Sequence, residues 1–438
     1  MKRIIFLLTF LGLVFTSCED LLKTEPTTII TDDLVIVDAA SAQQVLLGAY
    51  SALQSANCYS NLTITNSGVL SDELIHSGSF PTVKQMDVND VLPDNVTLQG
   101  YWQSYYAGIF ITNVILERIE NITISATEKN IIIGQAKYLR ALMLLDLLKI
   151  FGDIPVPRTT VLSELTSISR TPSNEVYSFL ITELTTAATL LDNVDYGTAG
   201  RDQEDRVRAG EWAVKALLSR VYLYSGDKTN AGTTANDVIL NGGYTLPLAY
   251  ATVFNGSSTE TIFEVFASVN DANGIAFQFR SNGRYEYAPS ANLISAFETN
   301  DTRAGIIVNS GGSKPEAGKY KDVATGTDRT IVSRLSEMLL IRAEATLGSA
   351  AADADVNALR TRAGLVGKSL VSLDDVLQER FVELCFEGHR WNDLIRTNKA
   401  TSVMSVINPT TWVATDVLLP IPIREIRQNA LLTQNPGY

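Results

Sequence analysis

The chain has 438 residues, 45% of them hydrophobic, and a formal net charge of −13. That is enough apolar material for one large core or two intimately packed ones, and the acidic surface, with no dense basic stripe, argues against nucleic acid or anionic lipid as a partner. Three cysteines are too few for a disulfide framework, and with His76 and His389 as the two histidines, a catalytic dyad or a zinc site would have to use one of them.

In chain order, Lys2 and Arg3 form a basic n-region, Ile4 to Phe15 an apolar stretch too short for a comfortable membrane span, and Thr16-Ser17-Cys18 a lipobox-like end. This pattern predicts a lipoprotein signal over residues 1–17, with Cys18 as the lipidated first residue of the mature chain, because a thiol carries the diacylglycerol. An ordinary secretory signal is the alternative. Loss of the two basic residues takes the net charge to −15. Cys58 and Cys385 would then be the remaining cysteines, expected as buried free thiols.

Asn57 to Gln99 is rich in Asn, Ser, Thr, Gly and Asp and contains Pro81 and Pro93, which predicts an irregular, loop-like stretch. The cluster Tyr101-Trp102-Gln103-Ser104-Tyr105-Tyr106 opens a predicted helix running to Ile119. Ser125 and Glu128 make a capping box ahead of a central helix, with Ile132, Ala136, Leu139, Met143 and Leu147 on one face, that stops at Phe151-Gly152. Pro172 is expected at the first position of the next helix, with Val176, Leu180, Leu184, Ala187 and Leu191 as its buried stripe. Trp212 to Tyr224 and Ala231 to Leu240 follow as a pair about a Gly226-Asp227 turn, and Leu335 to Leu347 with Val356 to Ala363 form a second loose pair, so degenerate tetratricopeptide-like repeats are expected. Between these pairs Gly242 to Asp328 mixes many glycines with short β-like runs such as Thr261 to Ala267. Finally, Glu379 to Thr397 has Phe381, Leu384, Cys385, Trp391, Leu394 and Ile395 at helical spacing, with Glu379, Arg380, Glu383, Glu387, Arg390 and Asp393 between them, which predicts one amphipathic helix. The expected fold is therefore mainly α: helical pairs in a globular body, with long irregular loops and a few short strands.

The wording FEGHRWNDLIRT, followed by LLPIPIREIRQNALLTQNPGY at Leu418 to Tyr438, resembles the SusD/RagB family of surface-exposed, nutrient-binding outer-membrane lipoproteins. The resemblance extends over CEDLLKTEPTT from Cys18, the helix near Ser41, GQAKYLRALMLLDLLKIFGDIPVP from Gly134, Glu260 to Phe266, FETNDTR from Phe297, GKY from Gly318 and RLSEMLLIRAEA from Arg334. It implies a division into an N-terminal helical region, 18–241, and a C-terminal region, 242–438, with ligand contacts drawn from the irregular stretches. It implies further an outer-leaflet lipid anchor at the outer membrane, for which Glu19-Asp20 resembles the export tag, and a TonB-dependent, SusC-like barrel to which captured nutrient passes.

Sugars are held by flat aromatic faces, with amides and charged groups taking hydroxyls. The candidate ligand-binding residues are Tyr59, His76, Phe80, Tyr101, Trp102, Arg284, Tyr285 and Tyr287. Core packing is the stronger reading for Trp102, Tyr105 and Tyr106, whereas alternation in Arg284-Tyr285-Glu286-Tyr287 suggests a strand with both tyrosines on one side. No nucleophile elbow, H-E-x-x-H or phosphate-binding glycine loop is present, so no catalytic residue, metal ligand or cofactor is assigned. Glu298, Asp301 and Arg303 read as structural ion pairs, and His389 as a structural hydrogen-bonding residue. An oligosaccharide binder is the leading expectation. Peptide capture of the RagB type, a surface-anchored glycan hydrolase and a purely structural repeat scaffold are the alternatives.

Overall fold

The computed structural model describes residues 35–194, 206–256, 258–310 and 314–438. The signal segment, Cys18 and the export-tag residues lie outside the described residues. Counting α-helices and strands in chain order, α1 spans Ala39–Ala52, α4 Val96–Arg118, α5 Ala126–Phe151, α7 Ser173–Leu190, α8 Glu211–Ser225, α9 Lys228–Asn241, α12 Leu335–Ala345 and α13 Ala350–Arg362. These helices pack in sequence, each against the next: α1 on α4, α4 on α5, α5 on α7, α7 on α8, α8 on α9, α9 on α12 and α12 on α13. The fold is mainly helical, with paired helices and a few short strands.

Local sequence accounts for most of this. Ser125 accepts from the Glu128 amide and the Glu128 carboxylate takes the Ser125 amide, which seats the start of α5. Its whole run from Tyr138 to Leu148 is buried, so α5 is the core around which its neighbours pack. The predicted stripe of α7 is buried in full, although Pro172 stands at the cap and not in the first turn. Gly226 adopts φ +89°, which ends α8 and turns the chain into α9. A Cβ at Gly232 of α9 would stand 2.6 Å from that of Ala345 of α12, so the absence of a side chain sets how closely these helices approach.

Three readings change. Asn57 to Gln99 is not a loop: it contains α2 (Leu62–Val69), β1 (Leu74–His76) and α3 (Pro81–Asp87), and every residue of α2 is buried. Its polar residues find distant partners, Thr63 with the Tyr105 hydroxyl at 2.6 Å and Ser67 with the Trp391 amide at 3.2 Å. In Gly242 to Asp328 the expected β-like run is strand β2 (Thr261–Val265), and what changes is the further order around it: α10 (Ile275–Phe279), α11 (Ala291–Ala296) and strands β3 (Tyr287–Pro289), β4 (Ile307–Ser310) and β5 (Lys314–Ala317). With β6 (Thr330–Arg334), the strands form three antiparallel pairs: β1–β3, β2–β6 and β4–β5.

The third change concerns Glu379 to Thr397, which is two helices, α14 (Leu373–Glu383) and α15 (Arg390–Arg396), separated by a break in which Phe386 and Gly388 take φ +61° and +81°. Most of the charged residues between its apolar positions face inward. Arg334 binds Glu260 at 2.6 Å, Glu383 at 2.6 Å and Glu387 at 2.7 Å, while Arg303 binds Asp301 at 2.8 Å and Glu383 at 3.0 Å. Burial alone would push the Glu383 carboxyl up, yet Arg362, Arg334 and Arg303 hold it well below the usual carboxylate range. Arg303 does pair with Asp301, and Glu298 with Arg360. Buried Cys58 and Cys385 are both free thiols.

Candidate functional site

The ladder between β1 and β3 places His76 opposite Tyr287, so the chain leaving β1 runs beside the residues that precede β3. One residue organises this junction. The Glu286 carbonyl accepts the amides of Ser77 (2.9 Å) and Gly78 (3.2 Å), and its carboxylate accepts those of Ser79 (3.4 Å) and Phe80 (2.9 Å). Four successive amides of the 77–80 loop thus end on one glutamate, which is itself buried. Its carboxylate also takes Nε2–H of His76 at 2.9 Å and lies 3.3 Å from Arg284 Nε. A Cβ at Gly78 would collide with this carboxylate, so the loop requires glycine there.

Above this base the outer surface is aromatic and cationic. The Arg284 guanidinium lies 3.5 Å from the centroid of the Phe80 ring, and Phe80 is 38% exposed. Tyr285, at φ +54°, breaks the strand, sends its hydroxyl to the Pro315 carbonyl at 2.8 Å and carries Lys314 Nζ 5.3 Å from its ring centroid. Phe277, whose carbonyl takes the Arg284 amide at 2.7 Å, is also exposed. Phe80, Arg284, Tyr285 and Lys314 thus form an open platform of rings and charged donors, groups suited to the C–H face and hydroxyls of a pyranose.

Four of the eight candidate residues, His76, Phe80, Arg284 and Tyr285, therefore meet in one place, although more than 200 residues separate the two segments. The other four belong to the core. Tyr59, Tyr101, Trp102 and Tyr287 are each at most 3% exposed. Tyr101 binds the Asp146 carbonyl at 3.2 Å, and Tyr287 packs against Phe279. Trp102 packs against Phe151 and lines an apolar groove of about 300 Å³ with Tyr106, Phe110 and Pro157. The strand expected to set both tyrosines on one side fails at Tyr285, whose positive φ points the chain elsewhere. Glu286, Lys314 and Phe277 were not among the candidates. The sequence carries no local sign of Glu286 or Lys314, since each acquires its role through a partner far along the chain.

Residues 281–438 match the family model described as the SusD family, and residues 27–223 match one described as starch-binding, associating with outer membrane. The chain belongs to the SusD/RagB family. A SusD-like protein, P2, from Formosa agariphila is 26% identical across 99% of this chain and 98% of its own length. In structure, a laminarin-binding SusD-like protein superposes with a TM-score of 0.82 over 92% of this chain and 100% of that chain at 23% identity. Surface glycan-binding protein A from Bacteroides thetaiotaomicron, in complex with laminarihexaose, gives 0.79 over 91% and 100% at 21%.

The FEGHRW wording that carries the SusD/RagB resemblance has a direct mechanical link to the platform. Arg390 forms a two-pronged pair with Asp72 at 2.6 and 2.7 Å, and the Phe386 amide donates to Glu73 at 3.0 Å. Asp72 and Glu73 immediately precede β1, so the C-terminal motif clamps the strand from which the loop springs. Burial pushes the Glu73 carboxyl up to about 8, against the pull of the Phe386 amide, Lys319 and Arg390. His389, also buried, is driven well below the usual imidazole range, first by burial and then by Arg220 and Arg380. It stays neutral. Among the described residues no group of His, Cys, Asp and Glu could hold a metal ion, and no helix is long and apolar enough to cross a membrane.

Proposed function

We propose that this protein is a non-catalytic, lipid-anchored outer-membrane lipoprotein that captures oligosaccharide on the Phe80–Arg284–Tyr285 platform and passes it to a TonB-dependent, SusC-like barrel. The observation that carries the reading is the convergence on Glu286. All four loop amides and His76 are spent on fixing the position of one exposed ring and one exposed guanidinium, which is preorganisation for a ligand. The laminarin-binding protein and the laminarihexaose complex share this fold, and the family model matched by residues 27–223 is described as starch-binding and outer-membrane-associated, which supports a glycan over a peptide.

Binding without cleavage also fits the local chemistry. Glycoside hydrolysis uses two carboxyl groups flanking the scissile bond, whereas the platform's Glu286 is buried beneath the rings and bound to amides, and Glu316 is buried against Arg280 and the Ser281 amide. Neither presents a free oxygen to a sugar above it. Isothermal titration against panels of oligosaccharides and tryptic peptides, with chromatography of the same mixtures, tests the reading. Saturable binding of one glycan class, lost in Phe80→Ala and without cleavage, is expected. Peptide binding, cleavage, or glycan binding indifferent to Phe80 would overturn it. Loss of palmitate labelling in Cys18→Ala and co-purification with a large barrel check the anchor and the partner.

A further inference from the structure

We infer that the platform's ligand is an anionic glycan, one bearing uronate carboxylates or sulfate esters; this rests on the platform being the binding site. The charge of that face is opposite to the charge of the chain. Over the whole sequence 48 acidic residues face 35 basic ones. On the platform the acids turn inward, Glu286 and Glu316 being 1% and 0% exposed, and the bases turn outward.

Arg284 has a side chain 39% exposed, and its Nε stands 3.3 Å from Glu286 Oε2. Its two terminal amino groups have no hydrogen-bond partner among the described residues, and they sit at the edge of a guanidinium plane already immobilised on Phe80 at 3.5 Å. A planar fork held in this way matches a carboxylate or a sulfate with two parallel hydrogen bonds. Lys314 is exposed, stands over the ring of the adjacent Tyr285 and pairs with no carboxylate among the described residues. A neutral sugar would have to strip water from both cations while offering hydroxyls in return, whereas an anionic group compensates them directly. On an otherwise acidic molecule, two outward cations also set where a polyanionic chain lands.

The test uses the full-length protein in mild detergent and two matched probe pairs: homogalacturonan oligosaccharides with their methyl-esterified forms, and sulfated galactan oligosaccharides with their desulfated forms. A neutral β-glucan hexasaccharide is a fifth probe. In at least one pair the charged member should bind about tenfold more tightly than its uncharged counterpart, and the difference should shrink between about 0.05 and 0.5 M salt. Arg284→Gln and Lys314→Gln, both at exposed sites, should each cost several-fold more on the charged member than on its uncharged counterpart and leave the thermal midpoint unchanged. Equal affinities within both pairs, or equal losses on both members, would overturn the inference. Phe80-dependent binding of the neutral hexasaccharide alone would overturn the anionic assignment and leave the platform standing, and absence of any Phe80-dependent binding would overturn both.

Discussion

Arg334 and Arg284 are built from the same parts, a guanidinium above aromatic rings beside buried glutamates, yet their side chains are 1% and 39% exposed. Arg334 lies about 6 Å from Tyr250 and Phe254 and is saturated by Glu260, Glu383 and Glu387. Arg284 shares one carboxylate, and that carboxylate is already committed to His76 and the loop amides. In the core the arginine is the group whose valences are filled, and the assembly locks helices together. On the platform the glutamate is the filled group, and the arginine keeps donors to spare. Which partner is saturated separates a structural ion network from a binding surface, even when composition is the same.

Substitution at each end should break this contrast most sharply. Arg334→Ala would leave three buried carboxylates short of a counter-charge, with an expected loss of about 3–5 kcal/mol, read as a large drop in the midpoint of chemical denaturation or as failure to accumulate folded protein. Arg284→Ala, at an exposed site, should change stability by less than about 0.5 kcal/mol, while weakening ligand binding several-fold. Similar stability losses for the two would remove the distinction.

An intermediate effect is expected where core and platform are coupled. Gly78→Ala forces a Cβ into the Glu286 carboxylate, so the loop must shift. A stability loss of about 1–3 kcal/mol, together with at least tenfold weaker binding, should follow, in contrast to the binding-only effect at Arg284. Titration sharpens the comparison further. The Glu73 carboxyl is raised by burial to about 8 in the folded protein against 4.5 for the free side chain. A raised acid stabilises the fold fully below its unfolded value, and that contribution is lost as pH rises through the folded one. Thermal midpoints of the wild type should therefore fall between about pH 7 and 9, and Glu73→Gln, which keeps an acceptor for the Phe386 amide, should flatten that slope. His389, lowered by burial, acts in the opposite window, its contribution being lost as pH falls below the ordinary imidazole range. The smallest effect belongs to Ser125→Ala, about 1 kcal/mol from the lost cap of α5, with ligand affinity unchanged.

The helical frame was legible because its signals are local: the Ser125–Glu128 box, the apolar stripe of α7 and the glycine at 226 each act within a few residues. Helix α2 was not, because Thr63, Thr65, Asn66 and Ser67 read as loop until Tyr105 and Trp391 arrive from elsewhere to cover them. The same limit explains the charged residues of α14. Periodicity tells which side chains share a face, but Arg303 and Arg334, far away in the chain, decide that the face carrying Glu379 and Glu383 is buried. On the platform, aromatic type within an irregular stretch was enough to nominate Phe80 and Tyr285 but could not separate them from Tyr59, which burial removes. Glu286 organises the site through its backbone carbonyl as much as its side chain, a role that residue type does not announce.

The most direct measurement is a crystal structure of the protein with the oligosaccharide that binds it best in titration. The account predicts a sugar ring against Phe80, with hydroxyl or acidic groups within hydrogen-bonding distance of Arg284 and the 77–80 loop held on Glu286 as in the free protein. A ligand seated instead in the groove beside Trp102, Tyr106 and Phe110, with the platform bare, would contradict it.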